Sequence, residues 1–201
     1  MYKNIDIVKK DTKIKKIKDF EYAKNLTQSI ITIDEFFKAS NSLPIFFLDD
    51  KAIVLLGLKE NSFIDSDNKW KKGEYIPFYI RRYPFNFFQK DDKFILVYDT
   101  DAKGDEKIDI DSILEKMKEY QLSYNKTEKF IEKLKELELL KEVELSINKN
   151  NQKYIIKSLK QIDEEKLNNL DDDKKVELVN SGFYKLIITH LLSLNNVQKL
   201  L

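Results

Sequence analysis

Cysteine is absent from this 201-residue chain, which excludes disulfides, cysteine nucleophiles and thiolate metal sites. Histidine occurs once, at His190, so no multi-histidine metal centre can form. Glycine is sparse, and Gly57, Gly73, Gly104 and Gly182 are scattered. They build neither a glycine-rich phosphate loop nor a nucleophile elbow, and no cofactor is expected. An excess of one charge is also missing: 36 basic against 35 acidic residues leave a net +1, too little for a global field that would attract nucleic acid or membrane. No apolar run approaches the ~20 residues needed to span a bilayer. The nearest, Phe183 to Leu194, is too short and contains Lys185 and His190. The N-terminus lacks the apolar centre of a secretory signal, so the expected location is the cytoplasm, with non-classical export left open.

What is present describes a globular protein. Hydrophobic residues make up 42% and aromatics 12%, too rich for a disordered chain even with 35% charged residues. A chain of this length hides roughly 70% of its unfolded surface, enough for a core without staples. Among the cations, 34 are Lys and two are Arg, alongside abundant Asn and Ile, the bias of a genome favouring AT-rich codons. Lysine runs such as Lys9-Lys10 are therefore read as solvated surface. The two arginines, adjacent at Arg81-Arg82, resist that bias and stand out.

Periodicity assigns the elements. Leu43 to Leu48 and Ala52 to Leu58 are short apolar runs around Asp49-Asp50-Lys51, a hairpin with both strands buried. A short third strand is expected at Asn61–Asp65, and another strand at Phe94–Tyr98. Pro77 and Pro84 bracket residues 78–83 and predict an extended, non-central segment there. From residue 109 the period changes to about 3.6. Ile110, Ile113, Leu114 and Met117 form one helix face with Ser112 and Glu115 as a capping box. Asn125 is the expected cap of a second helix carrying Phe130, Ile131, Leu134 and Leu137. Val143–Ile147 and Tyr154–Ile156 read as a second hairpin around Asn148 to Asn151. Asp163-Glu164-Glu165 and Asp171-Asp172-Asp173 suit helix starts, and Ser181-Gly182 ends the second of those helices. Phe183, Leu186, Ile187, His190, Leu191 and Leu194 make one stripe of a final helix. The fold class is α+β: one antiparallel sheet from the first two thirds of the chain, packed against helices from the C-terminal half. A single domain over 1–201 is expected, since no linker rich in Pro, Gly or Ser divides the chain.

The segment Trp70 to Gln89 is the strongest functional constellation, with eight of the chain's 24 aromatics around Arg81 and Arg82. Forked guanidiniums among rings suit a carboxylate or phosphate. The candidate ligand- or partner-binding residues are Arg81, Arg82, Tyr83, Phe85, Trp70 and Tyr79. An extended backbone there would send the two arginines to opposite faces, one pairing with an acid and the other left for a partner, with Arg82 inward. The bland account makes the rings core and the arginines structural. His190 is the weak candidate for acid/base chemistry, because its ordinary pKa lies near neutrality. Its place on an apolar stripe favours a hydrogen-bonded core histidine, and no catalytic residue is assigned. The acidic run Asp99 to Asp105 fails as a calcium loop, because Lys103 stands at a ligand position and Ile110 where Glu is needed. No metal site is expected.

Several runs follow the order of a known family. Leu43-Pro44-Ile45-Phe46-Phe47, Leu55-Leu56-Gly57-Leu58, Glu60-Asn61-Ser62-Phe63, Trp70, Tyr75-Ile76-Pro77 and Arg81-Arg82-Tyr83-Pro84-Phe85 come first. Thr127, Phe130-Ile131, Leu139-Leu140, Asp163-Glu164-Glu165-Lys166-Leu167 and His190 to Leu194 follow. With these motifs the chain resembles the SapC family from about residue 43 to 201, with 1–42 a poorly matched N-terminal extension. The resemblance implies a bacterial protein associated with surface-layer loci, and it implies no reaction. With no assembled catalytic set in the sequence and one segment suited to recognition, the first expectation is a non-enzymatic accessory protein, a binding module with a protein partner that supports surface-layer production, export or assembly. The alternative is an enzyme or small-ligand domain that recognises an anionic group through Arg81 and Arg82. A third reading takes the aromatic segment as a single-strand nucleic-acid platform, with Lys69, Lys71, Lys72, Arg81, Arg82 and Lys90 against Glu74 alone. It is the least favoured.

Overall fold

A computed structural model describes residues 2, 4–90, 93–149 and 151–200, without the Lys90 side chain. Its elements run β1 (Ile5–Ile7), β2 (Lys13–Ile14), β3 (Gln28–Ile30), α1 (Phe36–Ala39), β4 (Ile45–Leu48), β5 (Lys51–Leu55), α2 (Phe78–Arg81), β6 (Phe85–Lys90) and β7 (Lys93–Asp99). They continue with β8 (Glu106–Lys107), α3 (Ile110–Glu136), β9 (Leu140–Lys149), β10 (Gln152–Ile162), α4 (Glu164–Asn168), α5 (Asp172–Asn180) and α6 (Phe183–Ser193). The fold is α+β with antiparallel pairing and the longer helices in the C-terminal half.

Both predicted hairpins form. In β4–β5 the pair Leu48↔Lys51 closes on Asp49-Asp50, and Asp49 takes a left-handed φ of 51°, which a short polar side chain tolerates. These strands lie inside a five-stranded sheet of order β3-β5-β4-β10-β9, which explains why they read as continuous apolar runs. Phe47 packs edge-on to Phe130 of α3 and tilts against His190 of α6. The β9–β10 hairpin carries a bulge between Ile156 and Leu159, where Ser158 also takes a positive φ. Asn150, in its turn, lies outside the described residues.

The single expected sheet is in fact divided. β7, the strand expected at Phe94–Tyr98, joins a separate three-stranded sheet of order β1-β7-β6, and β2 pairs with β8. Each larger sheet has its own core. Phe85, Leu96, Tyr98 and Met117 make the smaller, while Phe36, Phe46, Phe47, Phe130 and Ile131 belong to the larger. The helix α3 serves both. Its 27 residues span about 40 Å, with Ile110 to Met117 against the small core and Phe130 to Leu134 against the large one.

Four local expectations are corrected. The two helices read around 110–117 and from Asn125 are one, because no Gly or Pro interrupts them; Asn125 sits mid-helix and accepts from Gln121 Nε2 at 2.9 Å. Asp109, not Ser112, caps α3, its carboxylate accepting from the Ser112 N–H at 3.1 Å. Residues 61–65 form no strand and contribute only an isolated bridge between Ile64 and Trp70. Finally, residues 78–81 are helical, not extended. Pro77 opens that turn with its fixed φ, and the turn's first N–H, at Phe78, donates 2.7 Å to the Glu35 carboxylate.

Candidate functional site

The helical turn α2 sets the directions of the two arginines. Successive side chains on a helix diverge by about 100°, so Arg81 and Arg82 occupy different surroundings without an extended strand. Arg81 is exposed. Its Nε donates to the Ile76 carbonyl at 2.9 Å and its Nη2 to the Tyr75 hydroxyl at 3.3 Å. The guanidinium lies over the Tyr75 and Phe78 rings at 5.7 and 5.5 Å from their centroids. Two hydrogen bonds and two ring faces hold an otherwise flexible side chain in one orientation.

Beneath this arginine sits a carboxylate that the sequence reading passed over. Glu35 is buried and accepts four hydrogen bonds. One oxygen takes the Thr32 N–H (3.0 Å) and hydroxyl (3.2 Å), and the other takes the Tyr75 hydroxyl (2.9 Å) and the Phe78 N–H (2.7 Å). Burial and the Glu35 charge hold the Tyr75 phenol above its ordinary range, so it stays a neutral donor to the carboxylate. The spacing Thr32-x-x-Glu35 is a capping-box signature, the one signal that would have found Glu35.

Arg82 is the more buried arginine, as expected, though helix geometry and not strand alternation puts it there. Its guanidinium stacks on Tyr79 (4.4 Å) and Tyr120 of α3 (5.1 Å), beside the Tyr2 hydroxyl. The expected partnership with an acid is not seen: among the described residues no ion pair joins either arginine to a carboxylate. Arg81 meets Glu35 only through the Tyr75 hydroxyl.

The other sequence candidates are dispersed around this centre. Trp70, 8% exposed, packs between Phe20 and Phe63 in the large core. Phe85, also 8% exposed, belongs to the small core, and its carbonyl accepts from the Tyr2 hydroxyl at 2.6 Å. Tyr83 stacks face to face on Tyr22 at 4.0 Å; burial, then the Asp99 and Asp101 charges, push its phenol up to about 12. Tyr79 lies under Arg82. These rings face different neighbours, so they do not line up as an open platform for stacked bases.

His190 lies in the interior and does not line the Arg81 cavity described below. It is fully buried, its Nε2 accepts from the Ile162 N–H at 3.1 Å, and burial pushes it down to about 3. Its Nδ1 lies near the Ile45 backbone without a well-formed hydrogen bond. Three residues on, Ser193 Oγ accepts from the Ile45 N–H at 3.0 Å and donates to the His190 carbonyl at 2.6 Å. Strands β4 and β10 share a single residue pair, Lys160↔Phe47. Side chains from α6 thus satisfy backbone donors where that ladder is short.

Arg81 opens onto a shallow cavity of about 410 Å³ shared with Lys38, Ser42, Glu74 and Tyr75. Ser42 Oγ accepts from the Tyr75 N–H at 3.0 Å and fixes that wall. Glu74 is paired with Lys199 at 3.2 Å, which leaves Lys38 and Arg81 as the cations on the cavity wall. A fixed guanidinium with donors to spare beside an ammonium is suited to a carboxylate or phosphate.

The family model described as SapC matches residues 8–200, beginning ahead of the motifs that start at residue 43. No curated protein and no solved structure matches the chain.

Proposed function

The chain belongs to the SapC family, and from that premise we propose that it is a non-enzymatic accessory protein. In this reading it is a binding module of the cytoplasm that supports production, export or assembly of a surface-layer protein. The observation that carries the reading is the immobilised Arg81 guanidinium at the mouth of the Lys38–Glu74 cavity. It is built to receive an anionic group, and the sole histidine is spent on the core. The partner contributes a carboxylate, from a side chain or a chain end, to Arg81 and Lys38.

Affinity purification of the full chain from its native cell tests this. A surface-layer or export component should co-purify with the wild type and be lost with Arg81→Ala. Arg81→Lys should lose most of it, because a point charge cannot reproduce the fork. Equal recovery with all three proteins would contradict the proposal. The size of the cavity favours one other reading, a free carboxylate or phosphate as ligand. In that case no protein co-purifies in an Arg81-dependent way, while calorimetric titration with acetate or inorganic phosphate still gives saturable heat.

A further inference from the structure

The helix α6 is apolar on two faces. Ile187 and His190 are buried against the sheet, while Tyr184, Ile188 and Leu192, spaced i, i+4, i+8, form a second stripe that faces outward. A helix that is apolar all round normally has both faces covered. Tyr184 and Ile188 of this stripe line a groove of about 900 Å³ together with Ile33, Phe37, Phe183 and Leu186, and Leu192 lies one helical turn beyond Ile188. Phe37 is 76% exposed and Leu192 62%. The stripe from Tyr184 to Leu192 is about 12 Å long, the reach of two to three helical turns. The charged residues lining the groove are Lys126 and Lys185, unpaired among the described residues, and Asp34.

We infer that this groove is a docking site for an amphipathic helix of a partner protein, with its apolar stripe on Phe37 and Ile188 and acidic flanks meeting Lys126 and Lys185. The occupant follows from the charges. Two free ammonium groups against one carboxylate favour an acidic segment, and helix-in-groove binding reads apolar anchors at the i, i+4 spacing seen here. A second copy fits worse, because a two-fold interface would face this patch with another carrying the same excess of positive charge. The groove shares no lining residue with the Arg81 cavity: Phe37 of α1 lines the groove and Lys38 the cavity.

The test uses the full chain and two fluorescein-labelled 16-residue synthetic helices. Both carry Leu at i, i+3, i+4 and i+7 repeats, one with Glu flanks and one with Lys flanks. Fluorescence anisotropy at physiological salt should show saturable binding of the Glu-flanked helix, at least tenfold tighter than the Lys-flanked one. Phe37→Asp, on an exposed side chain, should weaken it at least tenfold while circular dichroism stays unchanged. Lys126→Glu with Lys185→Glu should reverse the preference between the two peptides. The inference is overturned if neither peptide saturates or if both bind equally. It is also overturned if the groove is filled otherwise: phosphatidylglycerol vesicles bound in a Phe37-dependent way, or a dimer in sedimentation that Phe37→Asp dissociates.

Discussion

At His190, one side chain links sequence chemistry to the pH dependence of the fold. Burial holds its folded pKa near 3, whereas the unfolded chain takes up the proton near the ordinary 6.5. The unfolded state therefore binds more protons between those values, and stability falls as pH drops through that window, by on the order of a few kcal/mol. His190→Leu should flatten this dependence between pH 7 and pH 4.5. At pH 7 it should still cost about 1–3 kcal/mol, because the Ile162 N–H loses its acceptor. Urea midpoints at the two pH values check both statements, and an unchanged slope would show that another group carries the titration. Glu35 is the second decisive residue. Glu35→Ala orphans the donors of Thr32, Tyr75 and Phe78 and should destabilise by on the order of 3 kcal/mol in denaturant unfolding. The core role of His190 was legible, since an apolar stripe announces burial. Glu35 was one of 35 acids, and only its spacing from Thr32 marked it.

Among the elements, those specified locally were legible and those specified at a distance were not. The hairpins β4–β5 and β9–β10 carry both their apolar runs and their turn residues in one short window. The stripe of α6 is likewise contained in eleven residues. The helical turn α2 depends on a carboxylate 43 residues earlier, and between two prolines nothing local announces it. The continuity of α3 was hidden because its apolar face serves one core and then another, and Asn125, between the two stripes, reads as a helix cap. Its start gives a clean test. Asp109→Ala should cost about 1 kcal/mol, while Ser112→Ala, whose backbone and not hydroxyl is used, should stay within about 0.5 kcal/mol. Equal effects in thermal unfolding would return the cap to Ser112.

For the molecule as a whole, the two larger of three sheets, each with its own core, share one long helix. The proposal that the chain is a single domain rests on α3, which neither core can release without losing apolar cover. Solution scattering should then give a radius of gyration of about 16–17 Å, and two separated lobes would contradict it. Met117→Ala, in the small core, should cost about 2–5 kcal/mol and lower one shared unfolding transition, not a separate early one. No helix among the described residues is long and apolar enough to cross a membrane. What the chain binds was not legible, because the surface proposed here gathers Lys38, Ser42, Tyr75 and Arg81 from far apart in the sequence.

The central claim is that Arg81, and not Arg82, is the arginine left for a partner. With only two arginines in the chain, the side-chain Nε–H region of a ¹H–¹⁵N spectrum holds two arginine signals, and Arg81→Lys assigns them. On titration with acetate or inorganic phosphate, the Arg81 signal should shift saturably. The Arg82 signal, enclosed by Tyr79 and Tyr120, should stay in place. A shift confined to Arg82, or no shift of either signal, would contradict the account.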